Sequence, residues 1–369
     1  MKEREQILEL WRDMLALETS GVLVTVVKTL GSSYRRPGAR LLLTETGKRA
    51  GSISGGCLED DVIKKARWLS ERGPVLRRYD TTPDGDIGPS GEVSGGFGLG
   101  CNGIIYLLIQ RVGPQSEQVL PLAVLEQVYA TRQEMLLAHV LGPAGSVGTF
   151  NSESMSAPVR ESSAGVAGSF VTVLEDGGEV FFETLVPPVR LLIFGAGDDA
   201  VPLAQIARHL GWQVGVFDGR AHFARRDKFP DAQHVLVRDS ASPLDDLKID
   251  PLTAAVVMTH SYSQDLNFLK NLAAQPLAYL GVLGPRNRSE QLLLDGDINP
   301  ADLTAFRSPA GLDIGADGPE QVALSIVSEI QACLNGREGG PLRQRNGSIH
   351  SRESDGRLAA PFVPGIVCA

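Results

Sequence analysis

Residues 190–220 have the sequence RLLIFGAGDDAVPLAQIARHLGWQVGVFDGR, and this stretch decides the fold. It begins with a short apolar run, Leu191–Phe194, that has the length and content of a buried parallel strand. The glycine turn 195–197 follows, and apolar residues then recur at helical spacing until a glycine ends the helix. A second apolar strand, 213–217, leads directly to Asp218. This order of strand, glycine turn, helix, strand and acid predicts a Rossmann-type dinucleotide-binding unit.

The spacing of this stretch also predicts how it would hold a nucleotide. Gly195 allows a tight turn, and Gly197 lets the backbone approach a pyrophosphate beside the N–H groups of the helix N-terminus. Asp218 is placed to accept hydrogen bonds from the ribose hydroxyls, which favours NAD, although Arg220 nearby leaves NADP open. Two acidic residues lie between the glycines and the helix and would repel a phosphate. A Rossmann unit that binds nucleotide weakly or not at all therefore stays open as an alternative.

The rest of the C-terminal half continues the alternation of strands and helices. Short apolar runs at 234–237, 254–258 and 278–283 read as further parallel strands, and helical patterns cover 265–274 and 319–334. We therefore predict an α/β fold with a Rossmann-like, doubly wound parallel sheet domain in this half.

His260 and Gly284 each follow one of these predicted strands. Because ligands of open parallel sheets bind off the carboxyl ends of the strands, both are candidate cofactor-binding residues. His260 has the chemistry of a general acid or base, but a lone histidine also commonly ends a strand and hydrogen-bonds a loop. Likewise, Arg286 and Arg288 either meet a phosphate or are solvated residues at a helix start.

Bulk composition excludes several classes of protein. The 369 residues suffice for two domains, and 43% hydrophobic with 21% charged residues is ordinary for a globular protein. A net charge of −9 argues against nucleic acid as a partner. No apolar run reaches the about 18 residues of a membrane helix, and the charged, amphipathic N-terminus does not resemble a signal peptide. Four cysteines without C-x-x-C spacing favour free thiols in a reducing cytoplasm.

The chain is expected to divide at Pro187–Pro188. Four parts are predicted: a cofactor-handling domain over 1–115, a connecting α/β segment packed with it over 116–187, a Rossmann-like NAD(P)-binding-type domain over 188–335, and a mostly disordered tail over 336–369. The first two parts read as mixed α/β. Helices are expected at 7–19, 58–72 and 117–132, strands at 22–29, 41–44, 49–53, 75–79, 104–111, 135–141 and 178–185, and a loop or hairpin at 146–167.

Two glycine clusters in the N-terminal half each contain one cysteine. Gly55 and Gly56 precede Cys57, which is predicted at a helix N-terminus, where the dipole lowers a thiol pKa. Glycines also surround Cys101, just before a predicted strand. Because glycine carries an entropic cost in regular elements, such clusters suggest that a flat or polyanionic ligand approaches the main chain.

A basic loop lies near these clusters in sequence. Its arginines, Arg35, Arg36 and Arg40, are candidates for charge-assisted contacts to a phosphate. The alternative is two tight surface turns, two small buried cysteines and a solvated arginine cluster. The residue types alone leave both interpretations open.

Taken together, these motifs resemble those of the xanthine dehydrogenase accessory proteins, the XdhC/CoxI family. The N-terminal match rests on GSSYRRPGARLL, GSISGGCLE and GLGCNG. The C-terminal match rests on LLIFGAGDDAVPLAQIARHLGW, VFDGR, FPDA, VVMTHSYSQDL, YLGVLGPRNR and GLDIGADGPEQVALSIVSEI. Together they cover most of residues 1–335, in the order expected for the family.

The resemblance implies a chaperone for molybdenum cofactor. Such proteins bind the cofactor as cargo, promote its sulfuration and deliver it to molybdenum hydroxylases such as xanthine dehydrogenase, and they are often dimeric. The expected partners are therefore a hydroxylase apoenzyme, a cysteine desulfurase and a second copy of the chain. By the same resemblance, Cys57 and Cys101 hold the cofactor or relay sulfur, and Cys101 is a candidate molybdenum contact.

Three departures from the family pattern bear on ligand binding. Asn102 follows Cys101 where the family usually has glycine, Asp198 stands where a histidine is frequent, and Pro285 replaces a usual serine. These departures argue more strongly against nucleotide binding than against membership of the family. Two other hypotheses therefore stay beside the chaperone: an NAD(P)-dependent oxidoreductase acting on a small molecule, and a scaffold that uses the Rossmann domain for dimerisation.

Overall fold

The structure is a computed structural model that describes residues 2–31, 33–80, 103–114, 120–142, 147–151, 159, 168–174 and 177–346. The chain divides between Pro187 and Pro188 into two compact units. The N-terminal unit begins at Glu3, and the C-terminal unit extends from Pro188 through the described end of the chain. Each unit has its own sheets and core.

The N-terminal unit contains a five-stranded antiparallel sheet in the order β3-β2-β1-β5-β4. Its elements are α1 (Lys2–Ala16), β1 (Gly21–Gly31), β2 (Arg40–Thr44), β3 (Arg49–Gly51), α2 (Cys57–Leu69), β4 (Val75–Asp80) and β5 (Gly103–Val112). The central strand β1 is buried from Gly21 to Val27, where helices cover both of its faces. Val22, Val24 and Val26 pack with α2, whereas Leu23 packs with α1.

A second antiparallel sheet completes this unit, in the order β7-β6-β9-β8. Its elements are α3 (Leu120–Thr131), β6 (Met135–Val140), β7 (Gly148–Asn151), β8 (Phe170–Val173) and β9 (Glu179–Leu185). Val27 and Leu108 of the first sheet share a core cluster with Phe181 of the second. The segment predicted as a connection therefore belongs to one compact unit with residues 3–115.

The C-terminal unit contains six parallel strands in the order β12-β11-β10-β13-β14-β15. Its elements are β10 (Arg190–Phe194), α4 (Ala200–His209), β11 (Gln213–Asp218), β12 (His234–Val237), β13 (Thr253–Val257), α5 (Tyr262–Ala273), β14 (Tyr279–Val282), α6 (Arg286–Gly296), β15 (Phe306–Arg307) and α7 (Pro319–Cys333). This order is that of a Rossmann fold, so the predicted fold class is confirmed.

Alternate residues of each parallel strand face opposite cores, as the strand period requires. Leu191 and Ile193 of β10 pack with α4 and α7, whereas Leu192 and Phe194 pack with α5 and α6. The central strands β11, β10, β13 and β14 are thus covered on both faces. This burial is why they appear in the sequence as continuous apolar runs.

Several predictions fall on residues outside those described. They concern Cys101 with most of its glycine cluster, most of the stretch 146–167, and the tail beyond residue 346. Within the described part of the chain, no helix is long and apolar enough to cross a membrane.

Candidate functional site

The glycine turn after β10 packs tightly against the end of β13. Gly195 has φ +126°, and a Cβ at this position would lie 2.4 Å from the Met258 carbonyl oxygen. Gly195 also donates its N–H to the Phe217 carbonyl at 2.7 Å, which joins the turn to β11. The turn therefore needs glycine for packing between strands as well as for its backbone conformation.

Asp218, the acid at the end of β11, is fully buried and hydrogen-bonded on both oxygens. Its Oδ1 accepts from the backbone N–H and from Nε of Arg220, each at 2.9 Å. Its Oδ2 accepts from the Ala196 N–H and from Arg220 Nη2, each at 2.9 Å. Burial raises the pKa of the Asp218 carboxyl, but the hydrogen bonds from Arg220 and Ala196 outweigh it and hold the pKa below its ordinary value. Asp218 is thus an ionised group that fixes the glycine turn.

Two further acids at the turn are also paired with cationic or titratable side chains. Asp198 Oδ1 lies 2.7 Å from Lys228 Nζ, which also donates to the Ala196 carbonyl at 2.8 Å. Asp199 Oδ2 lies 2.7 Å from Nε2 of His260. The negative charge that the sequence places beside the turn is therefore matched by side chains from the loops after β11 and β13.

The loop after β13 is fixed by a buried carboxylate. Asp265 of α5 accepts from the N–H and the hydroxyl of Thr259 through Oδ1, and its Oδ2 lies 2.7 Å from Arg288 Nη2. The next residue, His260, has φ +60°, in the left-handed region that a non-glycine residue rarely adopts. Such strain persists only where surrounding contacts enforce it, and here the Thr259–Asp265 bonds and the Asp199 pair do so.

The glycine loop before α2 is held by the Glu59 carboxylate, and its two glycines are exposed. Oε2 of Glu59 accepts from the Ser52 hydroxyl at 2.8 Å and from the Ile53 N–H at 3.1 Å. Gly55 and Gly56 are both exposed, and Gly56 has φ +91°. The helix begins at the next residue, Cys57. The predicted place of this cysteine on the chain, at a helix N-terminus, is therefore confirmed.

An aromatic side chain that the sequence reasoning missed lies beside this loop. Tyr34 is 70% exposed, and its Cε1 would lie 4.0 Å from a Cβ at Gly55. The neighbouring Arg35 forms an ion pair with Glu3, its Nη1 donating at 3.0 Å, and Arg36 is exposed. Tyr34 stands in the same segment as these arginines, but its closeness to Gly55 depends on the fold and could not be read from the sequence.

Arg40, predicted beside Arg35 and Arg36 as a phosphate contact, instead lies in the core with its side chain 1% exposed. It donates to Glu183 Oε1 at 2.8 Å and Oε2 at 2.5 Å, and to the Gly38 carbonyl at 3.0 Å. Its charge is neutralised by a buried carboxylate, so we do not retain Arg40 among the proposed cofactor contacts.

Glu183 is also bonded to a buried histidine. His139 Nε2 lies 3.1 Å from Glu183 Oε2, and Nδ1 lies 3.0 Å from Thr149 Oγ1. Burial lowers the pKa of the His139 imidazole, and Nε2 donates to Glu183 because a carboxylate only accepts. Glu183 belongs to β9, far from Arg40 in sequence, and no local pattern pointed to it.

The predicted site residues thus fall into two groups, one in each unit. The C-terminal group, at the carboxyl edge of the parallel sheet, contains Gly195, Gly197, Asp218, His260 and Gly284. The N-terminal group contains Arg35, Arg36, Gly55, Gly56 and the backbone of Cys57. Among the described residues, no three or more His, Cys, Asp or Glu side chains are grouped as a metal site.

The fold and the carboxyl edge define the C-terminal unit as a Rossmann domain attached to a separate α/β unit. Comparison with known proteins agrees: residues 191–330 match the XdhC Rossmann domain and residues 14–80 match the XdhC and CoxI family. The chain is 33% identical over 324 residues to a Bacillus subtilis protein described as a probable xanthine dehydrogenase subunit, covering 86% of this chain and 94% of that protein. The chain therefore belongs to the XdhC and CoxI family.

Two further similarities extend over most of the chain. It is 26% identical over 314 residues to the molybdenum cofactor insertion chaperone PaoD of Escherichia coli, covering 84% of this chain and 82% of PaoD. Its structure is similar to the crystal structure of a xanthine dehydrogenase from Bacillus halodurans, with a TM-score of 0.72 and 29% identity, covering 90% of this chain and 96% of that one.

Proposed function

We propose that this protein is an accessory chaperone that binds molybdenum cofactor, supports its sulfuration and inserts it into a xanthine-dehydrogenase-type hydroxylase. The observation that carries the proposal is the similarity to a molybdenum cofactor insertion chaperone along 84% of the chain. The similarity to the probable xanthine dehydrogenase protein of Bacillus subtilis supports the class of client.

The residues of the glycine loop fit such a cargo. Molybdenum cofactor has a flat pterin ring system with a phosphate and a dithiolene-bound metal. The exposed backbone at Gly55 and Gly56 admits a flat ligand without side chains in its path, and the exposed ring of Tyr34 beside Gly55 offers a stacking surface. Arg35 and Arg36, on the loop that contains Tyr34, are the proposed phosphate contacts.

The cysteines supply the sulfur chemistry in this proposal. A thiolate is a soft ligand suited to a metal such as molybdenum and is the nucleophile of sulfur exchange. Cys57, at the first position of α2, has the helix dipole to favour its thiolate form. Cys101, which lies outside the described residues, is proposed as the second thiol and as a molybdenum contact.

Replacing Cys57 by alanine is expected to lower the cofactor retained by purified protein at least tenfold. The change removes the thiolate and leaves the helix in place, because alanine is a good first-turn residue. Native mass spectrometry of protein expressed with molybdopterin synthesis intact measures the bound pterin. Cys333→Ala, in the helix α7 of the other unit, is the matched control and should retain wild-type levels. Equal retention in both variants would refute the role of Cys57.

The remaining parts of the proposal concern partners and place. A hydroxylase apoenzyme would receive the cofactor, a cysteine desulfurase would supply sulfur, and the chaperone would act as a homodimer in the cytoplasm with its client. Pull-down of the client apoenzyme by cofactor-loaded but not by cofactor-free protein tests the delivery step. The oxidoreductase hypothesis finds no specific support in the described residues. The internal pairing of Asp218 at the carboxyl edge of the Rossmann domain weighs against it.

A further inference from the structure

Asp218, the acid that would bind the ribose of a dinucleotide, already accepts as many hydrogen bonds as a carboxylate can. A carboxylate offers about four lone-pair positions, and Asp218 receives four hydrogen bonds. Three of them come from Arg220 and one from Ala196. A ribose diol bound here would need to displace one of these donors from a fully buried carboxylate. The predicted role of Asp218 as ribose acceptor therefore does not fit the residues as they are arranged.

Arg220 also spans the crevice in which a dinucleotide would lie. Its Nη2 donates to Asp218, at the end of β11, and to the Thr259 carbonyl at 3.0 Å, just beyond β13. Strand β10 lies between β11 and β13 in the sheet, so the guanidinium crosses the carboxyl end of β10. In this strand order the crevice between β10 and β13 is the switch point at which nucleotides bind. Packing over the Phe223 ring at 4.2 Å holds the guanidinium in this position.

The other side-chain pairs at the glycine turn also oppose nucleotide binding. Lys228 bonds both the Ala196 carbonyl and Asp198, while His260 ties the loop after β13 to Asp199 at the start of α4. A pyrophosphate approaching the helix N-terminus would meet the carboxylates of Asp198 and Asp199, each already bonded to a side chain of the same unit. The turn that is meant to receive phosphates is thus occupied by side chains of the same chain.

We propose that Arg220 closes the dinucleotide crevice of this Rossmann domain, so that the protein excludes NAD(H) unless Arg220 is displaced. Arg220 is in this sense a specificity-determining residue. The sequence pattern at this sheet edge is that of a dinucleotide site, but Arg220 occupies the acceptors that a dinucleotide would use. All of these contacts lie within the C-terminal unit, and the role of Arg220 is independent of cofactor delivery.

Binding of NADH and NADPH to wild type and to Arg220→Ala, followed by the fluorescence anisotropy of the reduced nicotinamide, tests the proposal. Wild type should bind NADH at least tenfold more weakly than the variant. The variant should gain no comparable affinity for NADPH, because an uncovered Asp218 accepts from a ribose diol but repels a 2′-phosphate. The variant keeps the backbone N–H groups of residues 196 and 220 as donors to Asp218, so its carboxylate remains solvated and hydrogen-bonded.

Two comparisons keep the test decisive. Arg225→Ala removes a similar arginine from the same connection, where it pairs with Asp227 on the surface, and should leave both affinities unchanged. Arg220→Lys keeps a cation beside Asp218 but lacks the fork that reaches Thr259, so it should show an intermediate gain and guards against misfolding of the alanine variant. Equal NADH affinity in wild type and Arg220→Ala, whether tight or undetectable, would overturn the proposal.

Discussion

Glu183→Gln is expected to lower the free energy of unfolding of the N-terminal unit by about 3–5 kcal/mol. The substitution keeps the shape of the side chain but leaves the Arg40 guanidinium, 1% exposed, without its counter-charge. It also turns one of the two acceptor oxygens that Arg40 and His139 share into an NH2 donor. Urea unfolding followed by tryptophan fluorescence in a Trp212→Phe background reports this unit, since the other two tryptophans, Trp11 and Trp68, both belong to it.

Glu179→Gln is the matched control on the same strand. Glu179 Oε1 lies 2.6 Å from Lys28 Nζ, but the side chains are 35% and 20% exposed, so losing this pair should cost less than about 1 kcal/mol. The double variant Arg40→Met/Glu183→Gln should recover part of the loss, because the Arg40 cation is no longer buried without its counter-charge. Equal destabilisation by Glu183→Gln and Glu179→Gln would refute the assignment of a buried ion pair.

The same network makes the stability of this unit fall with pH. Burial raises the pKa of the Glu183 carboxyl, but Arg40 and His139 lower it further, to well below 4.5. A lowered pKa means that the unfolded chain binds more protons, so this stabilisation is complete above pH 4.5 and is lost as the pH falls below it. The pKa of His139 is also lowered, so its contribution to stability is likewise lost as the pH falls below 6.5. Unfolding curves of wild type should show an additional decline below pH 4.5 that Glu183→Gln lacks, because glutamine does not titrate.

The central strands of the parallel sheet could be predicted closely because they are buried on both faces. Leu191–Phe194 was found to within one residue, since a buried apolar run between turns allows few alternatives. The edge strand 234–237 was also found, although most of its side chains are exposed. The first residues of the helices were predicted less accurately. The helix α1 begins at Lys2 rather than Ile7, and α5 at Tyr262 rather than Asp265, because their first turns are polar and carry no apolar period. Strand β7 falls within the stretch 146–167 that was predicted as a loop or hairpin, and no strand was predicted at the short strands β8 and β15.

The site was harder to predict because its contacts join residues distant in sequence. The glycine turn, Asp218 and His260 were placed at one sheet edge by topology alone. Whether Asp218 faces a ribose or an arginine depends on one side-chain conformation of Arg220, which composition and spacing do not determine. The partner of Arg40 is 143 residues away, so its burial could not be distinguished from a solvated basic loop.

Gly195→Ala is expected to destabilise the C-terminal unit by more than about 4 kcal/mol. The new Cβ would lie 2.4 Å from the Met258 carbonyl oxygen and 2.7 Å from the Thr259 nitrogen, both backbone atoms at the end of β13. Backbone of a central strand cannot move aside without breaking the register between β10 and β13. Unfolding is followed through Trp212, the one tryptophan of this unit, in a Trp11→Phe/Trp68→Phe background.

Gly284→Ala separates this clash from the cost of the backbone conformation. Gly284 has φ +129°, nearly the +126° of Gly195, but its Cβ would meet only the flexible Arg288 Cδ at 3.4 Å. Gly284→Ala should therefore cost about 1–3 kcal/mol, the price of the unusual φ alone. The difference between the two variants then measures the close approach of the glycine turn to β13. A Gly195→Ala protein no less stable than Gly284→Ala would show that the turn is not packed against β13. The crevice that Arg220 spans would then be wider than the structure indicates, because its two anchors, Asp218 and Thr259, are held at their distance by this same packing.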